Sequence, residues 1–150
     1  MTKLDNALMG ITKLGIDTSP FIYFIERHPV YLALMQNIIQ QIDADKMMGY
    51  SSVITMTEVL VHPKKLNQLA IEKKYRQLLQ NSRNFELIAI DENIAEHAAD
   101  LRARYNLRTP DSLQIAATYQ VGCQAFLTND KRLKNVSELR IIVLDDLLDL

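Results

Sequence analysis

Strand-like and helix-like stretches alternate along the whole chain, and this alternation restricts the fold more than any other feature. Short runs at 13–17, 47–51, 85–90, 124–128 and 140–144 have the length of buried strands. The segments between them repeat apolar residues every three or four positions, as in Leu32, Met35, Ile38, Ile39 and Ile42. Helices are expected over 21–26, 30–44, 52–61, 66–80, 92–105 and 109–119. Strands separated by such helices pair in parallel, because a parallel neighbour needs a crossover that returns the chain to the starting edge. The expected architecture is α/β: a three-layer α/β/α sandwich with a central parallel sheet of about five strands.

Local signals set the expected boundaries. His28-Pro29 ends the first helix, because the residue before proline disfavours helical backbone. The 52–61 helix is expected to stop before Pro63. In 66–80, Leu69, Ala70, Lys73, Gln77 and Leu78 form the expected inner stripe. Thr109 suits an N-cap with Pro110 in the first turn, and Gly122 suits the stop after that helix.

Length and composition bound the rest. The 150 residues suit one domain spanning 1–150, and four glycines and four prolines supply no linker. No apolar run reaches the length of a membrane span, and the N-terminus lacks the apolar core of a signal peptide, so a cytoplasmic protein without membrane contact is expected. Cys123 is the only cysteine, which excludes an intramolecular disulfide and a thiolate zinc cluster. Between Gly122 and Gln124 near an apolar run, it reads as a buried structural thiol. The net charge is −1, yet basic residues cluster at Lys64, Lys65, Lys73, Lys74 and Arg76, at Arg102, Arg104 and Arg108, and at Lys131, Arg132 and Lys134. Each cluster taken singly reads as a solvated helix face, and together they form a possible basic rim around an acidic pocket.

Four carboxylates fall where such a sheet builds sites. Asp17 ends the first strand, in Ile16-Asp17-Thr18-Ser19-Pro20; Glu58 lies in the helix after the second; Asp111 opens a mostly apolar helix; Asp130 ends the strand Ala125-Phe126-Leu127-Thr128. Taken singly, each has a plain structural reading. Asp17, Thr18 or Ser19 caps a helix with Pro20 at its first position. Glu58 faces solvent, Asp111 favours a helix dipole, and Asp130 serves a turn. Taken jointly, they share one edge of the sheet. Clustered carboxylates repel, so they bind protons or a cation. An all-oxygen donor set selects Mg²⁺ or Mn²⁺ over zinc. A hard cation of this kind suits phosphodiester hydrolysis. There is no phosphate-binding loop, dinucleotide fingerprint or serine-hydrolase elbow. His28, His62 and His97 show no ligand spacing, and Asp145 and Asp146 read as an acidic tail.

These pieces resemble a PIN domain, and within it the VapC-type toxin ribonucleases. The resemblance rests on Ile16-Asp17-Thr18-Ser19, Thr57-Glu58-Val59-Leu60, Thr109-Pro110-Asp111-Ser112-Leu113-Gln114-Ile115-Ala116 and Leu127-Thr128-Asn129-Asp130, and covers about 15–144. It implies metal-dependent RNA cleavage by an endoribonuclease, the toxin of a toxin–antitoxin pair, with an antitoxin partner and a homodimer. Carried over by residue, it implies that Asp17, Glu58, Asp111 and Asp130 form the catalytic metal site for Mg²⁺ or Mn²⁺. Asp17, Asp111 and Asp130 would be direct or water-mediated ligands, and Glu58 would orient water or hold a second ion. Thr18, Thr128 and Asn129 would support them from behind. Two other classes compete: an interaction module that binds a partner peptide or RNA in the acidic pocket without cleavage, and a receiver-like phosphoacceptor with Asp17 or Asp130 phosphorylated, which calls for a lysine and for a central aspartate after a middle strand, here Ile90-Asp91.

Overall fold

The structure, a computed structural model, describes residues 1–149. Five parallel strands form one sheet in the order β3-β2-β1-β4-β5. They are β1 (Lys13–Ile16), β2 (Met48–Ser52), β3 (Phe85–Ile88), β4 (Ala125–Thr128) and β5 (Arg140–Val143). The chain runs outward from β1 through β2 to β3, then crosses back to place β4 and β5 on the other side of β1. The strand order therefore reverses between β1 and β4, and a crevice opens there at the carboxyl ends of the strands.

Two apolar layers cover the sheet. On one face, Leu14, Ile16, Ala125, Leu127 and Ile142 pack against α2 (Thr18–Ile25), α3 (Leu32–Asp43) and α5 (Leu69–Asn81) through Phe21, Met35, Ile38, Tyr75 and Leu79. On the other, Tyr50, Ile88 and Phe126 pack against α6 (Glu92–Tyr105) and α7 (Thr109–Gln120) through Ile94, Leu101, Ile115 and Ala116. Phe126 points to one layer and its neighbours Ala125 and Leu127 to the other, as the two-residue period of a strand requires. Cys123 is buried, and burial pushes its thiol up to about 12, so it is an unreactive core residue.

The structure departs from the sequence reading at several boundaries. A short helix, α1 (Lys3–Leu8), precedes the first strand. Its Thr2 hydroxyl accepts from the Asp5 N–H while Asp5 accepts from the Thr2 N–H, and Leu4 and Leu8 join the core. This capping box stands in the sequence as Thr2-Lys3-Leu4-Asp5. The helix expected to stop before Pro63, α4 (Val53–Lys65), runs through it; Pro63 sits buried in the last turn, where few intrahelical bonds remain to be lost. Arg108, not Thr109, is the N-cap of α7. The inner face of α5 is Glu72, Tyr75 and Leu79, not the stripe through Leu69, Lys73 and Gln77. Glu72 is covered because Lys64 and Arg76 both pair with it, at 3.1 and 2.7 Å. The strand before Asp91 is the edge strand β3, and Asp91 caps α6 by accepting from the Ile94 N–H at 2.8 Å. Asp91 therefore does not follow a middle strand, which is where the receiver-like reading put it; the middle strand is β1, and Asp17 follows it.

Helix α7 lies directly on β1. A Cβ added at Gly15 would stand 2.7 Å from the Thr118 Cβ, so only glycine allows this approach. The close contact brings the first turn of α7, with Asp111, to the carboxyl end of β1.

Candidate functional site

Asp17 sits at the head of the crevice. Its backbone N–H donates to the Leu127 carbonyl at 2.9 Å, so the β1–β4 ladder still holds it. It is also the N-cap of α2, with Pro20 in the third helical position rather than the first. Its side chain is 9% exposed. One carboxylate oxygen accepts from the Thr18 N–H at 2.8 Å and the other from the Thr128 hydroxyl at 2.8 Å. Burial nevertheless pushes Asp17 up to about 6, with the charges of Asp111 and Glu58 acting in the same direction and the two hydrogen bonds pulling partly back. A carboxylate placed this way gains from a nearby cation.

Thr128 links two of the acids. Its oxygen donates to Asp17 and accepts the Asp130 N–H at 3.1 Å. Thr18 links a third, its hydroxyl donating to Glu58 Oε1 at 2.6 Å. Asn129 bonds none of the four carboxylates. It donates to the Tyr23 hydroxyl at 3.2 Å and accepts from the Asp145 N–H at 3.0 Å, so it ties the exit of β4 to the exit of β5. Asp145 is not a free tail: it accepts from the Tyr31 hydroxyl at 2.8 Å and pairs with Lys131 at 3.2 Å.

A buried polar chain fixes Thr18 from behind. The Gln114 side chain, 1% exposed, donates to the Thr55 hydroxyl at 2.5 Å and to the Thr18 hydroxyl at 3.4 Å, and accepts from the Ser52 hydroxyl. Ser51 donates to the Ile16 carbonyl at 2.7 Å and lies 2.7 Å from Thr55. One set of directions satisfies every member: Thr55 donates to Ser51, Gln114 to Thr55 and Thr18, and Thr18 to Glu58. The chain therefore delivers its last donor to a site carboxylate. Sequence reasoning placed Gln114 inside the motif but gave it no role; its polar character in an otherwise apolar helix face is the signal that marks it.

Asp111 and Asp130 are engaged differently. The Arg108 guanidinium meets Asp111 through Nε at 3.1 Å and Nη2 at 3.4 Å. The Arg132 guanidinium meets Asp130 through Nε at 3.0 Å and Nη2 at 2.7 Å and holds that carboxyl below the usual range. Both pairs are two-pronged. The four side chains, with Leu107 and Leu133, line a half-open cavity of about 80 Å³, space for roughly two or three waters. Among the described residues no three acidic, histidine or cysteine side chains are drawn together tightly enough to hold an ion. The donor set is nonetheless the right one for a hard dication: oxygen only, and with Asp17 already raised by burial and like charge. Of the histidines, His62 is exposed and His97 meets Tyr119 edge to face, so neither joins the crevice.

Fold and crevice together define a parallel α/β domain with Asp17 at its topological switch point and Glu58 and Asp130 linked to it through Thr18 and Thr128. The sequence matches the PIN domain family over residues 15–139, and the chain belongs to that family. Among solved structures it is similar to a toxin–antitoxin complex from Klebsiella pneumoniae, at 25% identity and a TM-score of 0.67 over 89% of this chain and 98% of that one. It is also similar to VapBC2 from Rickettsia felis bound to a DNA fragment from their promoter (16% identity, TM-score 0.72, 88% and 98% covered). A DNA-bound VapBC from Salmonella typhimurium is a third neighbour (17%, 0.64, 89% and 98%). No curated protein matches the chain significantly by sequence.

Proposed function

We propose that this chain is a single-domain, divalent-metal-dependent endoribonuclease that acts as the toxin of a toxin–antitoxin pair. The observation that carries the reading is Asp17: a buried carboxylate at the switch point of a PIN fold, raised by burial and by Asp111 and Glu58. The toxin assignment draws on structural neighbours that are toxin–antitoxin complexes, and with it come an antitoxin partner and a homodimer as parts of the proposal.

In this reading Asp17, Asp111 and Asp130 hold Mg²⁺ or Mn²⁺, directly or through water. A divalent ion there supplies Lewis-acid polarisation of the phosphodiester and neutralises the charge that builds up during in-line displacement. Glu58, aligned by the Thr18 hydroxyl, orients the attacking water and accepts its proton. Thr128 keeps the Asp17 carboxylate in one rotamer and fixes where the Asp130 backbone sits. Positioning of this kind by supporting hydrogen bonds is worth roughly 10–100-fold in metal affinity or rate.

The test is incubation of purified protein with a total-RNA pool in Mg²⁺ or Mn²⁺ and in EDTA, beside Asp17→Asn and Asp111→Asn. Cutting that needs the metal and drops at least ~100-fold in both variants supports the reading, since each lost ligand removes several kcal/mol of transition-state stabilisation. Wild-type cutting by either folded variant, or cutting that persists in EDTA, would overturn it.

A further inference from the structure

Arg108 and Arg132 face each other across the crevice, each forked onto one of the acids the proposed metal requires. Their guanidinium ends are mostly in solvent: the side chains are 65% and 75% exposed, whereas those of Asp111 and Asp130 are 11% and 24% exposed. A flexible, hydrated cation is thus laid over a fixed, half-covered carboxylate. Arg108, the N-cap of α7, stands three residues before Asp111, and Arg132, in the first turn after β4, two residues after Asp130. The influence also crosses the cavity, since Arg108 acts on Asp130 and Arg132 on Asp111. Both carboxylate oxygens of Asp111 and of Asp130 are engaged by these forks.

An ion pair whose guanidinium end stands in solvent contributes only modestly. That is strong enough to orient the carboxylates and weak enough for a dication to displace. Once the carboxylates turn to an ion, each guanidinium loses its partner and is repelled by the new positive charge, while remaining tethered at the crevice mouth. The ligand that then suits two outward-pointing forks is a pair of phosphate oxygens.

We propose that Arg108 and Arg132 are exchangeable counterions: they neutralise Asp111 and Asp130 in the metal-free protein and pass to the backbone phosphates of the RNA strand when a divalent ion takes the carboxylates. The inference rests on the metal-site reading above and adds an order of events, with metal loading freeing the substrate clamp. Metal and nucleic acid therefore bind cooperatively, and each promotes the other by the same factor.

The experiment measures Mn²⁺ affinity by calorimetry and binding of a short 2′-O-methyl RNA by fluorescence anisotropy, with and without Mn²⁺. It compares wild type, Arg108→Ala, Arg132→Ala, the double variant and Arg140→Ala. Arg140 is exposed at the opposite end of the sheet and controls for net charge. Arg108→Lys, which keeps the charge but not the fork, covers the case of a misfolded alanine variant. Expected are an approximately two- to tenfold gain in Mn²⁺ affinity for each crevice alanine variant, no gain for Arg140→Ala, and oligonucleotide binding weakened in Mn²⁺ but little changed without it. Unchanged or weaker Mn²⁺ binding in both alanine variants, or an oligonucleotide defect that is equal with and without Mn²⁺, would refute the exchange. Failure of the wild type to bind Mn²⁺ would refute both the exchange and the metal site. Normal Mn²⁺ exchange without any RNA cutting would refute the nuclease reading alone.

Discussion

Asp17 is the residue on which most of the site depends, and its environment makes a prediction about stability. Its carboxyl moves from 3.8 to about 6 on folding, so between those values the folded protein binds more protons than the unfolded chain. The contribution of Asp17 to the stability of the metal-free protein therefore falls as pH rises from about 4 to about 6 and is flat above that window. Asp17→Asn removes this cost, and its metal-free form should be about 1–3 kcal/mol more stable than wild type near neutral pH, with the advantage vanishing in acid. Urea denaturation at both ends of the window checks this. An Asp17→Asn protein destabilised equally at both would contradict the burial argument. Gln114 makes the opposite case. Replacing it with alanine leaves the Thr55, Ser52 and Thr18 hydroxyls short of partners, and thermal unfolding should register a loss of about 2–4 kcal/mol. RNA cutting should fall with it, because Thr18 then no longer presents its donor to Glu58 in one direction.

At the level of elements, the contact between α7 and β1 sets the distance from Asp111 to Asp17. Gly15→Ala forces a methyl against Thr118 and Phe126 and should cost about 1–3 kcal/mol. Activity measured well below the melting temperature should also drop, because α7 must move to relieve the clash and carries Asp111 with it. Retained stability and activity would show that the approach of α7 does not position the site. The same scale shows what the sequence could reveal. Strand and helix alternation gave all five strands in place, because buried parallel strands are short apolar runs bounded by turn residues. The stripe on α5 was misread because Glu72 looks like a surface residue until Lys64, from another helix, is brought over it; such pairing is tertiary. The helix through Pro63 escaped because a proline is tolerated in a last turn whose hydrogen bonds are already running out. Likewise the four acids were legible as residues at one sheet edge, but the forks from Arg108 and Arg132 were not, since short-range side-chain direction has no sequence period. Asn129 shows the converse: adjacency to Asp130 suggested a supporting role, yet its side chain leaves toward Tyr23 and Asp145.

For the whole molecule, an ion held between β1, α7 and the exit of β4 would fasten Asp17 to two carboxylates that lie far from it in sequence, Asp111 and Asp130. Binding to the folded state alone stabilises by mass action, about 2.7 kcal/mol at a hundredfold excess over Kd. Mn²⁺ should therefore raise the melting temperature of the wild type, and Asp17→Asn should lose most of that increment although its metal-free form is the more stable. A rise of equal size in both proteins would place the ion elsewhere. The most direct test of the central claim, that these carboxylates hold a divalent ion, is anomalous scattering from Mn²⁺-soaked crystals. A single strong peak, or a close pair, is expected within ligating reach of the Asp17, Asp111 and Asp130 carboxylates, with the Arg108 and Arg132 side chains turned off their acids. A well-diffracting, Mn²⁺-saturated crystal whose only peaks lie away from the carboxyl edge of β1 and β4, with both guanidinium forks intact, would contradict it.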